Sequence, residues 1–191
     1  MGHVVAMSRS DGDDATLRDP PWSQEAEQGV LGCLLQDASV MALVLDLLVP
    51  QSFYAWEHRA VFQAILDLLQ ERRPVDVITV FECLGKDASQ GNHPDGLTLA
   101  CVNSLALCVA NARNVRAHAE IVAERAAQRD LIAAAEDAAK ISWDDKVPLA
   151  DRAERINGVF ARVEARRKNP GGTRVPLLKL AALQEIGRAH V

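Results

Sequence analysis

The chain has 191 residues, 49% of them apolar and only 4% aromatic, with a formal net charge of −5. That length suits one domain with appendages, and a sequence dominated by Ala and Leu with few β-branched clusters favours helices. The acidic balance argues against a main DNA-binding surface, because phosphate neutralisation needs a basic excess or stripe. No apolar run approaches the ~20 residues of a membrane span, and the N-terminus lacks the apolar region of a signal peptide. A soluble, cytoplasmic protein is expected.

Residues 1–19 are polar and without period, which predicts a flexible tail, with Met7 as an alternative start. Pro20 and Pro21 stiffen the entry. Ser23 can then cap a helix whose first turn holds Glu25 and Glu27. Ala26, Val30, Cys33 and Leu34 give that helix one apolar face. A second helix is predicted from about Ala38 to Val49, capped by Asp37 and stopped before Pro50. A third runs from about Ala55 to Arg72, with His58, Val61, Phe62, Ile65, Leu66 and Leu69 on one side. Asp76 caps a short helix, Val77 to Leu84, ending at Gly85. The segment KDASQGNHPDG reads as a loop, and a helix over about Leu97 to Val109 comes next.

The longest periodic segment runs from Ala112 to about Ile141, with Val115, His118, Ala119, Val122, Ala126 and Arg129 along one face. It fits either one long helix or a hairpin turning near Gln128–Asp130. After SWDDKV, Pro148 opens a further helix to Lys168. Its narrow apolar stripe is Leu149, Ala153, Ile156, Phe160 and Val163, and Arg166, Arg167 and Lys168 suit its C-terminal dipole. NPGGTRVP reads as a linker. The fold class expected is all-α: a compact helical domain, a helical hairpin and a separate amphipathic helix.

Catalytic signatures are absent. Gly85-Lys86 lacks the leading glycine of a phosphate loop, and Asp87 stands where a magnesium-binding Ser or Thr belongs. No GxGxxG, HExxH or GxSxG occurs. Cys33, Cys83, Cys101 and Cys108 form no CxxC and read as buried, reduced thiols. His58 and His118 lie on apolar faces, where a hydrogen-bonded core or interface role outweighs catalysis. Glu25 and Glu27 read as partners of the helix dipole, Asp144 and Asp145 as loop residues. Arg113, Arg116, Arg125 and Arg129 read as a solvated helix face, with partner binding the sharper alternative. No catalytic residue, cofactor site or metal site is assigned.

Four ordered segments resemble one family. PPWSQEAEQGVLGCLL is similar to the opening of the N-terminal domain of DnaB-type replicative DNA helicases, which read P-P-x-S-x-E-A-E-x-x-V-L-G. FYAWEHRAVFQAI resembles their F-Y-x-x-x-H-x-x-I-F segment, and PVDVITVFECL their P-x-D-x-x-T-x-x-E-x-L. NVRAHAEIVAERAAQRDLI resembles N-x-x-x-Y-A-x-I-V-x-E-x-x-x-x-R-x-L-I, with His118 where the family often has Tyr. GNHPDGLTLACVNSLALCVANA matches the family only loosely and lacks its Tyr, which points to a plasmid or prophage branch. Together these motifs cover about residues 20–132.

The resemblance implies a helicase N-terminal domain over 20–141, its hairpin at about 112–141. Family domains pair through such hairpins into a collar on a hexameric ring, which docks primase and, in some systems, loader proteins. Val115, His118, Val122, Leu131 and Ile132 are the expected packing residues. Residues 147–168 resemble the linker helix, expected to dock on a neighbouring subunit's motor domain through Leu149, Ile156, Phe160 and Val163. Residues 169–191 are expected to be a linker or the truncated start of the motor. The RecA-like ATPase, with its ATP, magnesium and main DNA contacts, is missing, so this chain alone is expected to have no activity. EIGRAHV, residues 185–191, matches the translation of a common sequencing-library adaptor, so those residues are expected to be an artefact. The alternative is a stand-alone, motor-less protein that joins or decoys a helicase collar. An unrelated helical DNA-binding regulator is disfavoured by charge.

Overall fold

Ser23 starts the first helix as the sequence suggests. Its hydroxyl accepts the Ala26 N–H at 3.2 Å, which opens α1 (Gln24–Gln36). The computed structural model describes residues 19–88, 97–108 and 112–168. The tail over 1–18, the loop over 89–96, the linker NPGGTRVP and EIGRAHV lie outside the described residues.

After α1 the chain departs from expectation. Asp37 does cap, accepting the Ser39 N–H at 2.9 Å, but the chain then forms a short 3-10 segment (Ala38–Leu43) and consecutive turns rather than a helix to Val49. A continuing α-helix would bond the Leu47 N–H to the Leu43 carbonyl. Here Leu47 N–H bonds Val44 instead, and Arg116 takes the Leu43 carbonyl at 2.9 Å. The apolar side chains Val40, Met41, Val44, Leu45 and Leu48 stay buried through the turns.

A 3-10 turn (Pro50–Ser52) leads into α2 (Trp56–Gln70). That helix ends with Arg73 N–H on the Leu68 carbonyl and Arg72 N–H on the Leu69 carbonyl, which puts Arg72 at φ 56. This is the left-handed helix stop that glycine usually serves. Asp76 and Thr79 cap α3 (Val77–Ala88) reciprocally, side chain to backbone N–H in each direction. α3 runs through Gly85 rather than ending there, since a glycine weakens a helix interior by only ~1 kcal/mol. Thr98 caps α4 (Leu99–Leu107).

These elements close on one core. Val30, Leu31, Leu34, Phe53, Val61, Phe62, Ile65, Leu68, Val80 and Val102 are fully enclosed, and the rings of Phe53 and Phe62 pack with centroids 4.8 Å apart. α1 lies at the centre and crosses α4 closely. A methyl on Gly32 would stand 2.5 Å from the Cys108 carbonyl oxygen, so the crossing needs glycine.

A short turn (Ala112–Asn114) then starts α5 (Val115–Ser142), one unbroken helix of 28 residues. Its length is ~42 Å at ~1.5 Å per residue. No Gly or Pro occurs from Val115 to Val147, and the Ala-rich second half is strongly helix-forming. The hairpin bend expected near Gln128–Asp130 is therefore absent. The chain reverses at 143–148 instead, where Asp144 accepts the Lys146 N–H and Pro148 precedes α6 (Leu149–Lys168). α6 folds back against α5. Thus 147–168, expected as a separate linker helix, forms the hairpin's second limb. Among the described residues there is no strand.

Candidate interaction site

The root of the hairpin is polar. Glu27, expected to be a first-turn partner of the helix dipole, is 1% exposed. One carboxyl oxygen accepts the Tyr54 N–H at 2.6 Å, the other the His58 Nδ1 at 2.7 Å and, more weakly, the Ala55 N–H at 3.4 Å. The carboxyl group from α1 thus lies at the N-terminus of α2, where free N–H groups and the helix dipole favour it. His58 fills the hydrogen-bonded core role expected of it.

Arg129 closes the same corner from α5. Its Nη1 donates to the Pro21 carbonyl at 2.8 Å and its Nη2 to the Ser52 carbonyl at 2.6 Å. The guanidinium lies over the Tyr54 ring, 5.5 Å from the centroid, and the Trp22 ring packs against Tyr54 with centroids 5.2 Å apart. Burial lowers the Arg129 pKa from its ordinary value, with the Glu27 charge opposing that shift. Arg129 is therefore no part of a solvated face. Arg116 stays exposed but bonds across the surface to Leu43 and to Asp46 at 3.0 Å, while Arg125 donates to Gln128 of its own helix.

Beyond the root, α5 and α6 form a thin arm. Its buried apolar contacts are Ala134 and Val159, outside the body's core. Arg166 pairs with Asp130 at 3.2 Å, and Arg152 donates to the Ser142 carbonyl at 2.7 Å, a cation at the end of α5.

The nine sequence-chosen residues divide across these two regions. Val115 and Val122 are buried in the body, and His118 is half-buried beside them with its Nδ1 enclosed and unbonded. They hold α5 to α1 rather than packing a hairpin. Leu131 and Ile132 lie on the arm, 52% and 45% exposed. Ile156 and Val163 are half-buried, whereas Leu149 and Phe160 are exposed. Sequence reasoning passed over Trp143, 84% exposed at the arm's tip, and the Glu27–Tyr54–Arg129 corner. Arg129 had a signal: it falls in phase with Val115, Ala119 and Val122, a charge on the buried face. The four cysteines are thiols rather than disulfides, as expected. Cys33 is buried, Cys83 and Cys108 are half-buried, and Cys101 is exposed, against the expectation that all four are buried. Among the described residues no cluster of His, Cys, Asp or Glu is placed to hold a metal ion, and no helix is long and apolar enough to cross a membrane.

The body of short helices and the first turns of α5 match a known family model, the DnaB-like helicase N terminal domain, over residues 19–124. The chain belongs to this family. As a DnaB-like domain it is similar to the replicative DNA helicase DnaB of Rhodothermus marinus, 34% identical over 162 residues, covering 80% of this chain and 16% of that protein. The DnaB helicase of Haemophilus influenzae is 32% identical over 176 residues, 90% of this chain and 36% of the relative. That of Geobacillus stearothermophilus is 35% identical over 141 residues, with shares of 72% and 30%. This chain thus spans about a third or less of these relatives' length. The crystal structure of the N-terminal domain of DnaB helicase from Mycobacterium tuberculosis superposes with a TM-score of 0.68 at 29% identity, covering 75% of this chain and 99% of that one. The DnaB-like helical fold expected from the four motifs is the fold observed.

Proposed function

We propose that this DnaB-like domain is the assembly and docking part of a replicative helicase, itself without catalysis. The arm associates with a second copy, the paired domains build a collar, and the collar receives primase and, in some systems, a loader. The whole protein unwinds DNA with ATP and magnesium through a motor domain outside residues 19–168, and that motor makes the main DNA contacts. The observation that carries this reading is the match of 75% of this chain to 99% of a solved DnaB N-terminal domain. The exposed apolar groups Leu131, Ile132, Trp143 and Leu149 support it, because an arm with so thin a seam of its own has surface left to bury.

The test is a fluorescence-anisotropy titration of the purified chain with a bacterial primase, run beside an ATPase assay. Saturable primase binding without ATP turnover is expected. ATP hydrolysis by this chain, or a primase titration that stays flat while the chain self-associates, contradicts the docking role. Sequencing the locus past codon 184 separates the motor-bearing from the stand-alone form: a frame continuing into GxxxxGK[ST] supports the first, a stop after Val191 the second.

A further inference from the structure

The arm leaves the body at a single polar corner. Up to Val122, α5 is held by apolar packing through Val115, Ala119 and Val122. Arg129 lies two turns on and reaches back to the body, to Pro21 and Ser52. From the next residue the bonds turn outward to α6, Asp130 to Arg166 and the Ser142 carbonyl to Arg152. The two carbonyls that Arg129 holds belong to different segments, the entry before α1 and the turn before α2. The ring beneath it, Tyr54, is itself fixed, because its N–H is bound by Glu27 and Glu27 by His58.

We propose that Arg129 is a positioning residue, a latch that sets the angle of the α5–α6 arm on the body. A guanidinium suits the task because its planar fork offers two donors in fixed directions while its face stacks on an aromatic ring. Both carbonyls and the ring must be in place together, so the fork defines a direction as well as a distance. The lever is long: the 13 residues from Asp130 to Ser142 span ~20 Å, so a rotation of about 10° at the root moves the tip by about 3 Å. A shift of that size takes Trp143 and its neighbours out of register with any docked surface. Tyr54 and Glu27 act through the latch, as its seat. The device concerns the shape of this chain and operates whatever the arm docks.

The experiment is measurement of backbone residual dipolar couplings on the full chain, wild type against Arg129→Met and Arg129→Lys. Methionine keeps the stem and loses the fork; lysine keeps the charge but offers one nitrogen to two carbonyls. In the wild type one alignment tensor should fit body amides and arm amides (131–142 and 149–168) together. In Arg129→Met the body tensor should persist while the arm requires a separate, weaker one, with Arg129→Lys between the two. Tyr54→Leu, which removes the seat but not the arginine, should loosen the arm in the same direction. A single tensor that still fits body and arm of Arg129→Met overturns the proposal. So does unfolding of the body in that variant, since the latch is held to orient the arm and not to support the core.

Discussion

The body around Phe53 and Phe62 and the arm beyond Arg129 are held together in opposite ways. The body encloses a core of large apolar side chains, from Val30 and Leu31 through Val102 to Val122, while Ile78 and Leu107 stay exposed at its surface, so its stability is carried by hydrophobic burial of about 1.5–3 kcal/mol per large side chain. The arm buries only Ala134 and Val159 and adds surface pairs such as Arg166–Asp130, each worth ~0–1 kcal/mol. Meanwhile Leu131, Ile132, Trp143, Leu149 and Phe160 remain exposed. The difference teaches that the body is carried by its own core, while the arm keeps most of its large apolar side chains exposed.

Substitutions in the two regions should therefore fail differently. Phe62→Ala, in the centre of the body, is expected to cost ~3–5 kcal/mol and to lower the urea midpoint of the whole transition seen by circular dichroism. Should the arm keep its own unfolding transition in that variant, the two regions are less dependent than the shared helix α5 implies. Gly32→Ala drives a methyl into the Cys108 and Leu105 carbonyls. A loss of about 1–3 kcal/mol is expected, with faster amide exchange in α1 and α4 first. In the arm, Val159→Ala removes two buried carbons, about 1.5 kcal/mol by area. Its effect should appear as faster hydrogen exchange in α6 with an unchanged global midpoint; a lowered global midpoint breaks the distinction. The smallest change should be a gain. Arg72→Gly relieves a left-handed backbone of its side chain and is expected to stabilise the body by ~0.5–1 kcal/mol in the same urea titration.

The body was largely legible in the sequence because its signals are local. Ser23 and Asp76 stand where helices begin, and the stripe from His58 to Leu69 has the helical period. The four motifs point to the family outright. Sequence and structure part where a distant group decides a local outcome. Arg116, some 70 residues away, takes the carbonyl that a helix over 38–49 needs, and the segment turns instead. Glu27 has the position of a first-turn acid, yet its partners Tyr54 and His58 come from the far side of a turn. The length of the periodic segment suggests a bend inside α5, whereas Ala-rich sequence without Gly or Pro carries the helix to Ser142. With the bend at 143–148, α6 has a partner in this chain: Val159 is buried and Ile156 and Val163 half-buried, whereas Leu149, Ala153 and Phe160 of the expected stripe stay exposed.

The most direct test of the account is sedimentation velocity of the chain across a hundredfold range of concentration, beside Leu131→Asp. The account expects the wild type to pass from monomer to dimer or larger assemblies, and the variant to stay monomeric with an unchanged circular dichroism spectrum. A wild type that remains monomeric throughout, or a variant that assembles equally well, contradicts the claim that the arm is the surface this domain uses to meet a second copy.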